Sequence, residues 1–399
     1  MAAGETGAYP KTNMGRLLPR LRAAAVAAAL LAPPAGAKVA FTGYGSLIMP
    51  VDSQIQVRGP AAVLGGTPEG NLVSRGFRLD AVGLFATTKV SEDIDFLMDL
   101  TFRNVGNTVG QTRIQYAYLD AALPWGDARL QAGRVNLPFN YYNSRRFYPF
   151  QRVEISAPIF VSGILGLPIA DAGAVLTRRF ELESGWGLDA RAYAVNGYGS
   201  VSGSTGALRN PSLPGGLALS GNLGSGNNNK DIAFGGQLAV SRAGDGEVGG
   251  SYYRGAWDQQ NRRILQMAGA HLHWTPGEFD LLAEYLHLHA TGDEGMAQSL
   301  RSTAWSTHGA FMTASHPLFT VRGRKVVGWG HVENYHSARA GGGSGREVLR
   351  SYSGGAHMAV NDNVSVKGEA LYLFYAIPTT TKSIILDGRV IQGAVVITF

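Results

Sequence analysis

Three arginines stand close together at Arg145, Arg146 and Arg152, in a stretch crowded with aromatic residues: Pro138-Phe-Asn-Tyr-Tyr-Asn-Ser-Arg-Arg-Phe-Tyr-Pro-Phe-Gln-Arg152. A guanidinium keeps its charge at any physiological pH, and its planar fork of donors fits a carboxylate or a phosphate. Phe and Tyr packed among such groups make little sense in a loop that moves freely in water. They make sense in a segment folded against a wall, with Tyr141 and Tyr142 among the packed rings. Two uses of the arginines follow. They could face a water-filled passage and bias it toward anions, as charged rings do at channel constrictions. They could instead pair with acids such as Asp95, Asp99 or Glu369 and hold the segment down. Arg134, a short way upstream, belongs to the same candidate group.

Other constellations carry less chemistry. Lys367 and Glu369 share a strand face and are expected to form an ion pair, and Asp95 and Asp99 share one too. The pairs His271/His273 and His287/His289 invite a metal reading. A hairpin folded around Pro276-Gly277 sets them at heights on the order of 20 Å apart at ~3.3 Å per residue, too far to share an ion. No Ser-His-acid order stands out, so membrane-embedded hydrolases are set aside and no enzyme is expected. The absence of Cys excludes a disulfide framework, thiolate metal sites and c-type haem attachment, and no metal or other cofactor is expected.

The elements that must position these residues are strands. In Ile391-Gln-Gly-Ala-Val-Val-Ile-Thr-Phe399, one face carries Ile391, Gly393, Val395, Ile397 and Phe399 and the other is mixed. That alternation marks a strand with one apolar side. A terminal aromatic with apolar residues at alternate positions before it (Phe399, Ile397, Val395) resembles the C-terminal signature of bacterial outer-membrane proteins that barrel-assembly machinery reads, and an aromatic girdle gives it a physical place. The same rhythm runs backwards through the chain. Apolar residues at Phe96, Met98, Leu100 and Phe102, for instance, alternate with Asp95, Asp99 and Thr101.

Counting such stretches from Val39–Ile48 to Leu386–Phe399 gives about sixteen strands, each long enough, at ~10 residues tilted ~45°, to cross a ~25 Å apolar band. The break between the strands near His308–Phe319 and Val326–Tyr335 falls at Val321–Lys325 or earlier. Every even-numbered connection is short and turn-like, as at Ser91-Glu-Asp93, Pro124-Trp-Gly-Asp127 and Asn361-Asp-Asn363. The odd ones are mostly longer, including the Gly/Ser/Asn-rich Gly197–Lys230. Short turns on one rim and long loops on the other are the habit of bacterial barrels.

Composition agrees. Only 16% of the 399 residues are charged and 54 are Gly, with no break at which to divide the chain. Outside the leader no apolar run is long enough for a helical span. Residues 1–37 read as a signal peptide: a basic stretch from Arg16 to Arg22, an apolar run Ala23–Ala32, and a small-residue site before Lys38. Met14 is the more natural start. Removing the leader takes the net charge from +6 to about +3, too little to argue for nucleic acid.

Sixteen tilted strands ~4.8 Å apart close to a diameter of roughly 30 Å, more than side chains fill. The third outer connection, residues 138–169, is the expected occupant, folded into the lumen.

A family resemblance covers most of the mature chain. Ser74-Arg-Gly-Phe-Arg-Leu79, Asp93-Ile-Asp-Phe-Leu-Met-Asp-Leu-Thr-Phe102, Tyr118-Leu-Asp120, Gln131-Ala-Gly-Arg-Val-Asn-Leu-Pro-Phe139, Asn143-Ser-Arg145, Phe150-Gln-Arg152 and Asn361-Asp-Asn-Val-Ser-Val-Lys-Gly-Glu369 resemble, in order and spacing, the phosphate-selective porin O/P family. The resemblance implies a sixteen-stranded homotrimeric porin with an inward third loop and an anion-leaning pore. The chain departs from the family's Gly-Gln-x-Lys-x-Pro-Phe-Gly with Arg134, Asn136 and Asn140, so the resemblance does not name the solute.

The expectation is therefore an all-β transmembrane antiparallel barrel over residues 38–399, in a bacterial outer membrane. It would be a passive, weakly anion-preferring channel for small solutes, phosphate or small carboxylates among them. Outer-membrane lipid, the barrel-assembly machinery and small anions are the expected partners. The rival is a barrel that serves as a sleeve or scaffold for a secreted or redox partner, which needs a wide, unplugged lumen. A plugged transporter of twenty-two strands does not fit the length.

Overall fold

The computed structural model describes residues 38–58, 70–72, 77–103, 111–158, 170–197, 231–256, 261–291, 304–340, 347–378 and 383–399. The expected signal peptide, the second part of the third connection (159–169) and the Gly-rich stretch 198–230 lie outside them. The strands are β1 (Val39–Arg58), β2 (Gly70–Leu72), β3 (Arg78–Lys89), β4 (Ile94–Arg103), β5 (Gln111–Ala122), β6 (Ala128–Asn136), β7 (Ala170–Glu181) and β8 (Trp186–Val195). They continue as β9 (Ala233–Arg242), β10 (Gly246–Ala256), β11 (Ile264–Trp274), β12 (Asp280–Thr291), β13 (Ala304–Val321), β14 (Arg324–Ala340), β15 (Glu347–Ala359), β16 (Val364–Pro378) and β17 (Ser383–Thr398).

From β3 to β17 each strand pairs antiparallel with the next, and β1 pairs with both β3 and β17, so the sheet closes on itself. Sixteen strands form the ring. The three-residue β2 only flanks the far end of β1, opposite Ile55–Val57. Alternation in the sequence places the end of β1 at Ile48. The strand runs on to Arg58 because β17 supplies a partner that far, with Arg58 opposite Ile385. At the seam the last residue takes part in the ladder: Gly43 N donates to Phe399 O (2.7 Å), and Phe399 N donates to Gly43 O (2.9 Å).

The tight turns gather on one rim. They include residues 90–93, 124–127 and 360–363, and the seam between Gly43 and Phe399 lies at the same end. The β13–β14 turn is the two residues Arg322-Gly323, both with positive φ (49° and 77°). That is the twist a two-residue hairpin requires, with Gly taking the second position at no steric cost.

The two faces of the wall are inverted relative to a water-soluble protein. Leu238, Val248, Val332, Ile391, Val395 and Ile397 are exposed on the outer face, whereas Asp99, Thr101, Glu284, Thr313, Ser351 and Glu369 are buried on the inner one. An exposed apolar wall around a polar interior is stable only if the solvent outside is lipid. The interior is not polar throughout, however. Leu282, Leu286, Leu288, Phe311 and Tyr335 also face inward, and they are buried against aromatics from the segment that follows β6.

Candidate functional site

Residues 137–158 leave the long-loop end of β6 and cross the ring. Asn140, in the left-handed region at φ 59°, turns the chain, a conformation Asn tolerates better than most residues. Its N–H donates to Ser251 Oγ (2.9 Å) on β10. Here the wall comes so close that a Cβ on Gly269 of β11 would sit 2.0 Å from Asn140 Oδ1. Gly269 is therefore what admits the segment. Gly269→Ala is expected to displace Asn140 at a cost of about 1–3 kcal/mol, as overpacking does. The readout is a lower temperature for conversion of the folded to the unfolded band in a heat-modifiability gel.

A π-type turn over Tyr142–Arg146 follows. The Tyr142 N–H donates to the Glu284 carboxylate on β12, and its ring meets Phe311 edge-on at 5.9 Å. Arg146 is buried and donates to both oxygens of Asp280, at 2.5 and 2.7 Å. His273 Nε2 lies 3.1 Å from the same carboxylate, and the His273 ring stacks on Tyr141 at 4.5 Å. Arg145 is different: its side chain is 43% exposed, and it pairs with Glu247 at 3.0 Å. The other oxygen of Glu247 contacts His271 Nε2 at 3.0 Å.

The segment then reaches the opposite wall. Tyr148 donates its hydroxyl to Asp99 on β4, which also accepts from Thr101 Oγ1 at 2.8 Å. Burial, and then the Asp99 charge, push the Tyr148 phenol well above its ordinary range, so it remains a donor at any physiological pH. Around it Tyr44, Phe85 and Phe150 pack with ring centroids 5.2–5.5 Å away. Arg152, also buried, is spent inside the segment on Tyr142 Oη (2.9 Å), Phe147 O (3.1 Å) and Ile155 O (2.9 Å).

Two strands near the seam complete the anchorage. Lys367 Nζ on β16 donates to three carbonyls of the segment: Pro149 O (2.6 Å), Arg152 O, and Glu154 O (3.2 Å). Glu369 on the same face accepts from the N–H groups of Ile155 (2.7 Å) and Ser156 (2.9 Å), and Gln392 on β17 donates to Ser156 Oγ (2.9 Å). A cation facing carbonyls and an anion facing N–H groups satisfy buried backbone that would otherwise be costly.

Several placements differ from the sequence reading. Arg146 and Arg152 do not face open space, because Asp280 in one case and the segment's own oxygens in the other consume their donors. Lys367 and Glu369 do not pair directly with each other, since loop backbone occupies both. Arg134 is not on the inner face. It lies on the opposite side of β6 from Gln131 and Val135, and its Nε donates to Ile114 O and Gln115 O, both at 3.0 Å. Asp95 meets Arg129 at 3.4 Å. The histidine pairs are nearer in height than hairpin geometry suggested, with His271 opposite Glu284 and so three residues from His287, but they face opposite ways: His271 is buried on the inner face, and outward His287 lies 3.0 Å from His308.

A cavity of about 350 Å³ lies between the segment and β5–β8, with Ser144 on the segment side and Arg129, Gln131, Thr177, Arg179 and Arg191 among the wall residues. Arg129 pairs with Asp120 at 2.8 Å, and Arg179 with Glu181 (2.6 Å) and Asp189 (3.3 Å). Arg191 donates only to the neutral Gln237 Oε1, at 3.2 Å, and has no ion pair with a described acid. None of these three arginines stands out in the sequence. Strand parity was the available signal: Arg129 shares a face with Gln131, Arg179 with Thr177, and Arg191 with Asp189.

No protein-family model matches the chain, and no curated protein matches it. Solved structures do share the fold. An anion-selective porin from Comamonas acidovorans superposes with a TM-score of 0.54 at 11% identity, over 91% of this chain and 100% of that one. The outer membrane channel DcaP of Acinetobacter baumannii gives 0.52 at 11% identity, over 92% and 98%. OmpT, an outer membrane protein of Vibrio cholerae in its trimer form, gives 0.52 at 9% identity, over 91% and 99%. At such identities the likeness is one of fold: this chain has the closed sixteen-stranded barrel of outer-membrane proteins.

Proposed function

We propose that the chain is a passive porin of a bacterial outer membrane, secreted with residues 1–37 as its leader. Small solutes cross it through the passage that residues 138–158 leave along β5–β8. One observation carries this reading: the segment is tied across the ring by Ser251, Glu284, Asp280, Asp99, Lys367 and Glu369, and the remaining cavity lies against a wall of arginines. A sleeve for another protein would need the space the segment occupies.

The passage carries mixed charge, and the balance favours small anions weakly. Arg129 and Arg179 are matched by acids, Arg145 is half matched by a Glu247 shared with His271, and Arg191 has no ion pair with a described acid, only the more distant charges of Asp189 and Glu247. The Comamonas protein is an anion-selective porin, and the Vibrio protein takes a trimer form. The first supports a weak anion preference here and the second a homotrimer, and the terminal Phe399 with Ile397 and Val395 supports insertion by barrel-assembly machinery.

The experiment is a reversal potential across a planar bilayer in a KCl gradient. A chloride-side reversal is expected. Arg145→Ala should shift it toward zero by a modest amount, because one partly exposed charge is removed and Glu247 is left facing the passage. Cation preference in the unaltered protein would sink the anion reading, and no conductance at all would sink the porin.

A further inference from the structure

The outer wall carries a groove that the passage does not use. It occupies about 970 Å³ across β10–β15, and its outward lining runs from Val248 and Leu272 past Ala283 and Ala310 to Asn334 and Arg350. In each strand from β11 to β14 the lining residues include two of outward parity with one of inward parity between them, as in Ala270-His271-Leu272 and Val332-Glu333-Asn334, which places the opening on the lipid side. Ala270 and Ala310 keep its floor low between Tyr285, Met312 and Tyr352, which stand exposed along its edges.

The register sets how this groove crosses the membrane. Val248 faces Leu272, Leu272 faces Ala283, Ala283 faces Met312, Met312 faces Val332, and Val332 faces Tyr352. Val248 lies next to the tight turn before β10. Arg350 lies about ten residues from the turn after β15, or roughly 20 Å in depth at ~3.3 Å per residue and ~45° tilt. The same row therefore begins near the turn-side membrane surface and climbs to the long-loop side. Its lower end is aliphatic. Its upper end is polar, with Asn334 opposite Arg350, and Tyr352 beside Tyr372 at 6.5 Å between ring centroids. Arg350 is exposed, and no described acid pairs with it.

We propose that this groove seats one acyl chain of a phosphorylated lipid of the outer leaflet, with the phosphate held by Arg350. An apolar furrow that ends at headgroup depth in a guanidinium with no described acid partner is complementary to an anionic amphiphile in both parts. A second barrel is a poorer occupant, because its convex wall touches another convex wall along a ridge and leaves the furrow empty. The inference needs the barrel to span a bilayer and does not depend on conduction.

The test is native mass spectrometry of the detergent-purified protein after addition of lipid A, phosphatidylglycerol or phosphatidylcholine, with Arg350→Glu and Ala310→Phe as variants. Heat-modifiability gels confirm that each is folded. The expected result is retention of the phosphate-bearing anionic lipids over phosphatidylcholine. It should fall by about tenfold, a difference of ~1.4 kcal/mol, in Arg350→Glu, which removes the anchor, and in Ala310→Phe, which fills the furrow. Equal retention by the three proteins, or equal retention of the three lipids, overturns the proposal. So does an Ala310→Phe protein that changes oligomeric state while binding lipid A as before, because the furrow would then belong to a second copy. Conductance is not read, so a barrel that proved closed would leave this result intact.

Discussion

Lys367→Met is expected to raise the single-channel conductance by about twofold or more, with frequent steps between levels, if the segment it frees narrows the path as proposed. The lysine is 6% exposed, and its ammonium is the common donor to Pro149 O, Arg152 O and Glu154 O. Methionine keeps much of the length and none of the donors, so three carbonyls lose a charged partner together. Hydrogen bonds to a charged group are worth about 1.5–3 kcal/mol each, and buried carbonyls left alone seek water instead. Glu369 would still accept from Ile155 and Ser156, so the Lys367→Met variant should flicker rather than stay open. Lys367→Met with Glu369→Ala should hold the open level. Trypsin supplies a second readout: Arg152 is buried in the native protein and should become a cleavage site in the variants while the barrel stays intact on a gel. Unchanged conductance and unchanged protection of Arg152 in the double variant would show that the segment does not narrow the path.

The barrel was legible because its signals are local and repeated. Residue parity in stretches such as Phe96–Phe102 needs no knowledge of partners, and each tight turn announces itself with Gly, Asn, Asp or Pro within a few positions. Even so, β1 outran its sequence signal. Residues 51–58 do not alternate cleanly and are held as strand by β17, a partner more than three hundred residues away. The site was harder for the same reason. That the aromatics of 138–150 would pack was readable from composition. Which arginine would keep its charge exposed was not, because this depends on Asp280 and Glu247 lying next to Arg146 and Arg145, and only barrel closure and register bring them there. Lys367 and Glu369 looked like an ion pair because they are two residues apart on one face. The fold gives them something more specific to hold, a stretch of backbone with its carbonyls turned to one and its N–H groups to the other.

Under the proposed anion preference, Arg191→Glu is expected to turn the barrel toward cations, a larger effect than any substitution within the segment. The residue stands on the inner face of β8, opposite Thr177 on one side and Gln237 on the other, and lines the cavity of about 350 Å³ through which solutes would pass. Its side-chain hydrogen bond goes to a neutral partner and no described acid pairs with it, so its charge is only partly offset by the nearby Asp189 and Glu247. Replacing it by Glu changes the local charge by two units, beside Asp189 on its own strand and close to Glu247, which Arg145 and His271 already share. Two unit charges ~8 Å apart interact by about 0.5 kcal/mol in bulk water and about 2 kcal/mol at the effective dielectric of a partly enclosed site, enough to reverse a weak ion preference. The check is the sign of the reversal potential in a KCl gradient, together with its dependence on salt. The reversal should fade as concentration rises, because the Debye length contracts from ~10 Å at 0.1 M to ~3 Å at 1 M. Arg242→Glu, on the outward face of β9 over Trp186 and outside the lining of the cavity, is the control and should leave the sign alone. If both variants behaved alike, or if Arg191→Glu left the sign unchanged at low salt, the arginine wall along β5–β8 would not be the path.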